Sequence, residues 1–318
     1  MLTHELISEA ARTLDEVTRR TPVEASPVLS DLIGVPVWLK LECLQITGSF
    51  KARGAYFALK KAQSEGLNHI ATCSAGNHGK GVAWAASLLG MKCTIFVPQS
   101  VDSTKLEGMI RYGAQVQKSI YDGYDETEVW AKAECERLSI PFISAFDDER
   151  VMAANGGTVA TEILDQVPDV SSIVLPLGGG GLSSGAAFYV KHHKPLCDIV
   201  LSQHIECPAF NKSMELGEAV LQMPAIKTLA SGLEGGIGVK TFDVLRTRTD
   251  SVQLVTESEL RFAMKWMIEK HQLILEGSAA VPIAALLNPS FPKPNGPLVV
   301  VISGRNVASS IVADILGA

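Results

Sequence analysis

The feature that most constrains this chain is a series of short apolar segments, each long enough for one β-strand, that alternates with amphipathic stretches. Strands without polar alternation are buried on both faces, which is typical of parallel sheets covered by helices. We therefore expect an α/β fold. The predicted strands cover residues 36–42, 69–74, 93–98, 141–146, 172–178, 198–203, 251–256 and 297–303.

Helices are predicted between these strands from apolar residues at helical spacing. The helix at 257–271 has the clearest start, because Thr256 stands three residues before Glu259, as in a capping box. The first 20 residues also show helical spacing. The remaining predicted helices cover residues 79–89, 104–112, 125–138, 158–166, 183–191 and 278–287.

Composition and charge exclude several classes of protein. Of the 318 residues, 47% are hydrophobic and 19% charged, which excludes an intrinsically disordered chain and allows one large domain or two packed lobes. The net charge of −6, with no run of Lys and Arg longer than two, argues against nucleic-acid and membrane partners. Because no segment has the ~20 apolar residues that span a bilayer, we expect a cytoplasmic protein.

The six cysteines are scattered without Cys-x-x-Cys spacing, so the sequence predicts neither a zinc site nor a disulfide framework. A reducing compartment is the simplest interpretation. These cysteines are Cys43, Cys73, Cys93, Cys135, Cys197 and Cys207.

The first stretch with chemical potential is residues 47–54, which place Lys51 between Phe50 and the small residues Ala52 and Gly54. Such neighbours can lower the pKa of a lysine by desolvation, and an amine that forms a Schiff base needs this. A surface lysine at the start of a helix is the alternative.

The second stretch, residues 74–81, joins a predicted strand to a predicted helix. Its small residues leave backbone N–H groups free at a helix N-terminus, which can bind a carboxylate or a phosphate. An ordinary turn between strand and helix is the alternative. His78 is a candidate acid or base, or else a capping or packing residue.

The third stretch is a run of four glycines, which would be costly to order unless the backbone had to approach a ligand closely. A phosphate held by their N–H groups is the natural ligand, and a flexible turn is the alternative. The run matches neither a Walker A loop nor the spaced dinucleotide motif. The four residues are Gly178, Gly179, Gly180 and Gly181, followed by Leu182.

The fourth stretch follows the last predicted strand and contains Ser303, Arg305 and Asn306. A hydroxyl at the carboxyl end of a buried strand points into the crevice where α/β proteins bind ligands. A capping serine is the alternative.

Taken together and in this order, the stretches resemble the fold type II pyridoxal-phosphate enzymes, which have the tryptophan synthase β-like fold, and among them the serine/threonine dehydratase and serine racemase group. The resemblance covers nearly the whole chain. It implies a homodimer of two-lobed subunits, with a large cofactor-binding domain at 1–46 and 144–318 and a small domain at 47–143. The segments that carry it are LKLECLQITGSFKARGA, TCSAGNHGKGVAWAA, AFDDERVMAANGGT, VLPLGGGGLSSG, EGSAAVPIAAL and VISGRNV.

The resemblance also implies a role for each site residue. Lys51 would form the Schiff base with pyridoxal 5'-phosphate and act as the catalytic base, Phe50 would back the pyridine ring, and Ser303 would face the ring nitrogen. Asn77 would bind the 3'-oxygen of the cofactor. The phosphate would bind Gly178, Gly179, Gly180, Gly181 and Leu182, and the substrate carboxylate would bind Ser74, Ala75, Gly76, Asn77 and His78.

The implied activity is loss of water from a 3-hydroxy amino acid, giving a 2-oxo acid and ammonia in amino-acid catabolism. The substrate stays open between threonine, serine and a bulkier analogue such as phenylserine. Racemases of this group have a hydroxyl where this chain has Ala75, so dehydration is favoured over the alternative of racemisation. An alternative of another class is a nicotinamide-binding oxidoreductase or a noncatalytic ligand-binding module.

Several positions depart from the family pattern. The segment at 204–210, where racemase-like members bind a divalent cation through an acidic pair, has the single carboxylate Glu206, so no metal is predicted. Arg305 stands where glycine is common, and the segments at 155–158 and 231–238 also differ. Glu276 could face the cofactor edge or the substrate amine, or be a carboxylate at a helix N-terminus.

Overall fold

The computed structural model describes residues 1–101 and 103–317 as an α/β fold with two sheets covered by helices, which confirms the predicted fold class. The strands are β1 (Val23–Ala25), β2 (Val37–Lys40), β3 (His69–Cys73), β4 (Lys92–Val97), β5 (Gln115–Lys118), β6 (Ser172–Pro176), β7 (Asp198–His204), β8 (Ser251–Val255) and β9 (Leu298–Val301).

The helices lie close to their predicted positions, and the capping box at Thr256 and Glu259 is present. Among the described residues they are α1 (His4–Leu14), α2 (Pro27–Ile33), α3 (Lys51–Ser64), α4 (Asn77–Leu89), α5 (Ser103–Ile110), α6 (Tyr124–Leu138), α7 (Glu149–Met152), α8 (Thr158–Gln166), α9 (Gly181–His193), α10 (Ala209–Leu216), α11 (Val239–Leu245), α12 (Glu257–His271), α13 (Gly277–Leu287) and α14 (Ser309–Leu316), with a 3₁₀ turn at Glu42–Leu44 and a π-turn at Ala153–Gly157.

The larger sheet has the strand order β1-β2-β9-β6-β7-β8 and takes its strands from both ends of the chain. Strands β2, β9, β6, β7 and β8 are parallel, whereas β1 is antiparallel to β2. The smaller sheet, β3-β4-β5, is parallel and comes from one continuous stretch. Parallel strands bring their carboxyl ends to one edge of a sheet, where α/β proteins bind ligands.

Alternate residues of the central strand β9 face two separate apolar cores. Leu298 and Val300 pack with residues of α12 and α13, whereas Val299 and Val301 pack with residues of α8 and α9. Because both faces are covered, the strand has no polar alternation, and this is why its sequence is a continuous apolar run.

The strand predicted at 141–146 is wrong. Only one rung forms, in which the Ala71 N–H donates to the Pro141 carbonyl and the Ile143 N–H donates to the Ala71 carbonyl, both at 2.8 Å. The chain then turns, because the Ser144 hydroxyl accepts hydrogen bonds from the backbone N–H groups of Phe146 and Asp147. This turn brings the carbonyl group of Ala145 toward α3.

Helix α9 lies against the π-turn with almost no side chain between the two backbones. A Cβ atom on Gly156 would lie 2.0 Å from the Leu182 carbonyl oxygen, and one on Gly185 would lie 2.0 Å from the Met152 carbonyl oxygen. Only glycine permits this approach. The start of α9 is thereby held at a fixed distance from the element that precedes α8.

Among the described residues, none of the helices combines the length and the apolarity needed to cross a lipid bilayer.

Candidate active site

Three of the four chemically promising stretches meet at the carboxyl ends of neighbouring strands. The chain after β2 leads to residues 47–51, the chain after β9 to residues 303–306, and the chain after β6 to the four glycines. Since β9 pairs with both β2 and β6, these segments lie side by side. The Phe50 N–H donates to the Ser303 carbonyl at 3.2 Å, and Ser49 forms a β-bridge with Gly304.

Lys51 is the first residue of α3 and is partly buried. Its ammonium donates to the Ala145 carbonyl at 2.9 Å and lies 5.3 Å from the centroid of the Phe50 ring. Burial lowers the pKa of Lys51 to about 8, although Glu276 opposes the shift. A sizeable fraction of this amine is therefore neutral near physiological pH, which is its nucleophilic and basic form.

Asn155 of the π-turn fixes the first turn of α3. Its Oδ1 accepts a hydrogen bond from the Gly54 N–H at 2.8 Å, and this N–H is one that the helix itself leaves without an acceptor. A Cβ on Gly54 would lie 2.7 Å from the Asn155 amide. Asn155 thus supports the helix that carries Lys51.

His78, in the first turn of α4, is buried and neither of its ring nitrogens has a hydrogen-bond partner. Burial, and then the charge of Lys51, hold the pKa of His78 well below its ordinary value, so the ring is neutral. A buried polar group without a partner is costly unless a ligand satisfies it. His78 therefore offers a donor and an acceptor to a bound molecule.

A chain of hydrogen bonds sets the orientation of Asn77. The Lys80 ammonium, which can only donate, binds Oδ1 of Asn306 at 2.9 Å. Nδ2 of Asn306 then donates to Oδ1 of Asn77 at 2.7 Å, and Nδ2 of Asn77 donates to Oε1 of Glu276 at 2.6 Å. Lys80 thereby fixes which side of the Asn77 amide is the donor.

Glu276 directly precedes α13 but makes no side-chain cap hydrogen bond with that helix. Its contact with Asn77 places the carboxylate beside residues 77 and 304. Whether it faces the cofactor edge or the substrate amine stays a prediction. A Cβ on Gly304 would lie 2.1 Å from Oε1 of Glu276, so the approach of this carboxylate requires glycine there.

The four glycines, called the glycine turn below, end at the start of α9. Gly180 has a φ of 95° and precedes the helix, and Gly181 is its first residue. A Cβ on Gly179 would lie 2.3 Å from the Phe146 ring, and the Thr241 hydroxyl donates to the Gly179 carbonyl at 2.7 Å. The first N–H groups of α9 have no acceptor within the helix, so together with the helix dipole they can bind an anion.

The remaining predicted residues also border this region. Ser303 is buried beyond the end of β9, and Leu182 is buried in the first turn of α9. In the turn between β3 and α4, the Ser74 hydroxyl accepts from the Gly76 N–H at 3.2 Å, and Ala75 stands between them. Arg305 is exposed, although its backbone N–H donates to the Gly48 carbonyl.

The fold and the site define a pyridoxal-phosphate dependent enzyme. The family model with the description "Pyridoxal-phosphate dependent enzyme" matches residues 14–304, and the chain belongs to this family, which confirms the predicted cofactor.

Two relatives and one solved structure show which members of the family this chain is similar to. The L-threonine ammonia-lyase of Geobacter sulfurreducens is 38% identical over 312 residues, covering 96% of this chain and 76% of the relative. The serine racemase of Dictyostelium discoideum is 34% identical, covering 98% of this chain and 96% of the relative. The solved structure of threonine deaminase isoform 2 from Solanum lycopersicum has a TM-score of 0.89 at 29% identity, covering 99% of this chain and 88% of that one.

The residues present fit the family's cofactor. Each residue of the glycine turn packs so closely on a neighbouring segment that a Cβ would clash there, and the turn leads into helix N–H groups suited to a phosphate. Lys51 provides an amine whose pKa is about 8, and His78 provides unpartnered nitrogens. Sequence reasoning missed the contributions of Ala145, Asn155, Lys80 and Asn306, because each acts through a contact with a distant part of the chain.

Proposed function

We propose that this protein is a pyridoxal-phosphate dependent ammonia-lyase that eliminates water from a 3-hydroxy amino acid and yields a 2-oxo acid and ammonia. The observation that carries the proposal is the Lys51 amine, whose pKa is about 8 and whose hydrogen bond goes to a neutral carbonyl. The names of the ammonia-lyase and deaminase relatives support the reaction type.

The cofactor would be held by residues from both sheets. The glycine turn and Leu182 would hold the phosphate, Phe50 and Ser303 the ring, and Asn77 the 3'-oxygen. When bound, pyridoxal phosphate supplies an electron sink conjugated with the substrate nitrogen. We further propose that it lies between a small lobe, residues 47–143, and a large lobe, residues 1–46 and 144–318. The two separate sheets support this division.

Lys51 serves as the base in this proposal. Its neutral amine removes the proton from the substrate Cα. The C–O bond at Cβ then breaks, and the proton now held by the Lys51 ammonium balances the leaving hydroxide, which departs as water. Because His78 stays neutral, no second cation faces the amine from that side. The enamine product is hydrolysed to the 2-oxo acid and ammonia after it leaves.

The substrate carboxylate is proposed to bind the turn at residues 74–78. This segment includes the first two residues of the 13-residue helix α4, whose first N–H groups lack acceptors within the helix. Ala75 in this turn has no proton to donate to the face of Cα opposite Lys51. The absence of a hydroxyl at this position favours elimination over inversion.

Racemisation is the second candidate, since a serine racemase is among the relatives. Both reactions begin with removal of the Cα proton, but racemisation returns a proton to the opposite face of Cα and leaves the Cβ–O bond intact. Conversion of a single serine enantiomer, followed by chiral chromatography, separates the two reactions. Inversion faster than ammonia release would favour the racemase.

The main test is a panel of 3-hydroxy amino acids, both diastereomers of each, in which release of ammonia and of the 2-oxo acid is measured. We expect Lys51→Ala to lower the rate by ~10³-fold or more, because both the base and the attachment point are lost. Lys60→Ala is the matched control, since Lys60 is an exposed lysine of the same helix.

Borohydride treatment followed by peptide mass spectrometry provides a second readout. We expect a pyridoxyl adduct on Lys51 in the wild type and in Lys60→Ala. An adduct on another lysine, or ammonia release that survives in Lys51→Ala, would refute the proposed role of Lys51.

A further inference from the structure

Three histidines, one at the start of α1 and two at the end of α9, lie close together on the surface. They are far from the glycine turn. His4 is the first residue of α1, and His192 and His193 are the last two residues of α9. One ring nitrogen from each lies within 4.8 Å of the other two. The His4 ring centroid is 4.0 Å from that of His192 and 5.6 Å from that of His193.

The His4 ring is held in place while one of its nitrogens lacks a partner. It packs on the Phe188 ring at a centroid distance of 4.7 Å, and its Nδ1 is buried without a hydrogen bond. Burial, and then the neighbouring His192 and His193, lower the pKa of His4. A metal ion binds imidazole through a ring nitrogen that carries no proton.

We propose that His4, His192 and His193 form a binding site for a divalent transition-metal ion such as Zn²⁺. Imidazole nitrogens suit zinc, nickel and copper, and three histidines leave a fourth tetrahedral position for water. Zinc–nitrogen bonds of 2.0–2.1 Å would bring the nitrogens to about 3.4 Å from one another. His192 and His193 are exposed, so their rings can rotate by this amount.

The metal would tie α1 to the end of α9. Helix α1 packs on the π-turn through Ile7, which would lie 2.6 Å from a Cβ on Gly157. Because α9 has 13 residues, its two ends are about 18 Å apart, so the ion would not touch the reacting groups. The ion would therefore act on the packing of α1 against α9, independently of the proposed lyase activity.

The test uses the tag-free holoenzyme, stripped with EDTA and dialysed, and titrated with ZnCl₂ in a calorimeter. We expect one ion per chain with a dissociation constant in the micromolar range, and a higher melting temperature when zinc is bound. His192→Gln and His193→Gln should each weaken binding by ~10-fold or more and abolish the melting shift.

His69→Gln is the control, since His69 lies outside the cluster and bonds Thr94. It should bind zinc as the wild type does. Because residues 192 and 193 are exposed, their variants should keep the wild-type cofactor absorbance and the metal-free melting temperature, which separates loss of a ligand from loss of the fold.

Two results would overturn the proposal. One is the lack of stoichiometric zinc binding to the wild type, and the other is equal binding by the wild type, His192→Gln and His193→Gln. The cysteines do not offer an alternative site in the folded protein, since all six are buried.

Discussion

Two basic side chains in the first turn of α3, only two residues apart, lie in opposite electrostatic surroundings. Arg53 is 1% exposed and belongs to a paired cluster with Lys40, Glu42 and Glu162. Its guanidinium donates to both carboxylate oxygens of Glu42, at 2.9 and 2.7 Å, and to Glu162 at 2.6 Å. Although burial favours the neutral form, these carboxylates raise the pKa of Arg53.

Lys51, one half-turn earlier, donates its hydrogen bond to the neutral Ala145 carbonyl, and its charge helps to lower the pKa of the buried His78 ring. Glu276 acts on it through charge alone and does not offset the effect of burial. The comparison shows that two cations in one helix turn can have opposite pKa shifts. Carboxylates on two sides raise the pKa of Arg53, whereas burial lowers that of Lys51. Lys40 shows that burial can also outweigh a carboxylate partner, because its pKa is lowered although it pairs with Glu162.

The largest effect on the free energy of unfolding should come from removing the cation at the centre of the paired cluster. We expect Arg53→Met to lower the free energy of unfolding by ~3–5 kcal/mol, because Glu42 and Glu162 would lose their buried partner. Urea denaturation measures the change. Arg150→Met is the control, since Arg150 pairs locally with Asp148 and should cost less than about 1 kcal/mol. Equal losses in the two variants would contradict the special status of Arg53.

The second largest effect should be on the pH dependence of apoprotein stability. Between pH about 8 and the ordinary lysine value of 10.5, Lys51 is neutral in the folded chain and protonated in the unfolded chain. Unfolding then takes up a proton, so the free energy of unfolding contributed by this residue rises with pH across that window. Urea titrations of the wild type and Lys51→Met at several pH values isolate the contribution. An identical pH dependence in both proteins would contradict the lowered pKa.

A smaller effect is expected from Lys51→Met in the apoprotein at pH 7. Since this change removes a partly buried cation that lacks a bonded carboxylate, the free energy of unfolding should stay equal or rise by up to ~1 kcal/mol. Urea denaturation alongside Arg53→Met provides the measurement. A loss as large as that of Arg53→Met would show that both cations are structural.

The smallest effect is expected from replacing Lys80. This lysine orients the Asn306 amide, and Asn306 in turn orients the amide of Asn77. We expect Lys80→Met to weaken pyridoxal-phosphate binding by about fivefold, the worth of roughly one hydrogen bond, with little change in stability. Titration of the apoprotein by cofactor absorbance measures this, and Lys80→Arg should restore part of the affinity. Lys61→Met, which removes a surface pair with Glu9, is the control. Unchanged affinity in Lys80→Met would contradict the positioning role.

Much of the fold could be predicted because the buried strands of the larger sheet are apolar on both faces. Strand β5 could not, since Gln115–Lys118 is mostly exposed and polar, and the antiparallel β1 has only three residues. The segment at 141–146 is apolar enough for a strand, but the Ser144 hydroxyl binds the next backbone N–H groups and turns the chain.

The site was predictable to the extent that single residues mark it, as Lys51 and the glycine turn do. Contacts between distant segments were not. Lys80 and Asn306 are 226 residues apart, and no local pattern pairs them. The proposed zinc ligands raise the same difficulty, because His4 comes close to His192 only after α1 has packed. The roles of the site residues, the lobe boundaries and the homodimer stay predictions.

The backbone contact between α9 and the π-turn limits which substitutions this enzyme can accept. The start of α9, where we propose that the phosphate binds, is held by the main chain at Gly156 and Gly185, where a single added methyl group has no room. Sequence drift on the outer face of α9 should be harmless, while an alanine at either glycine should make the protein lose its coenzyme with the reactive amine intact. Inherited defects of that kind would be missed by inspecting active-site residues alone.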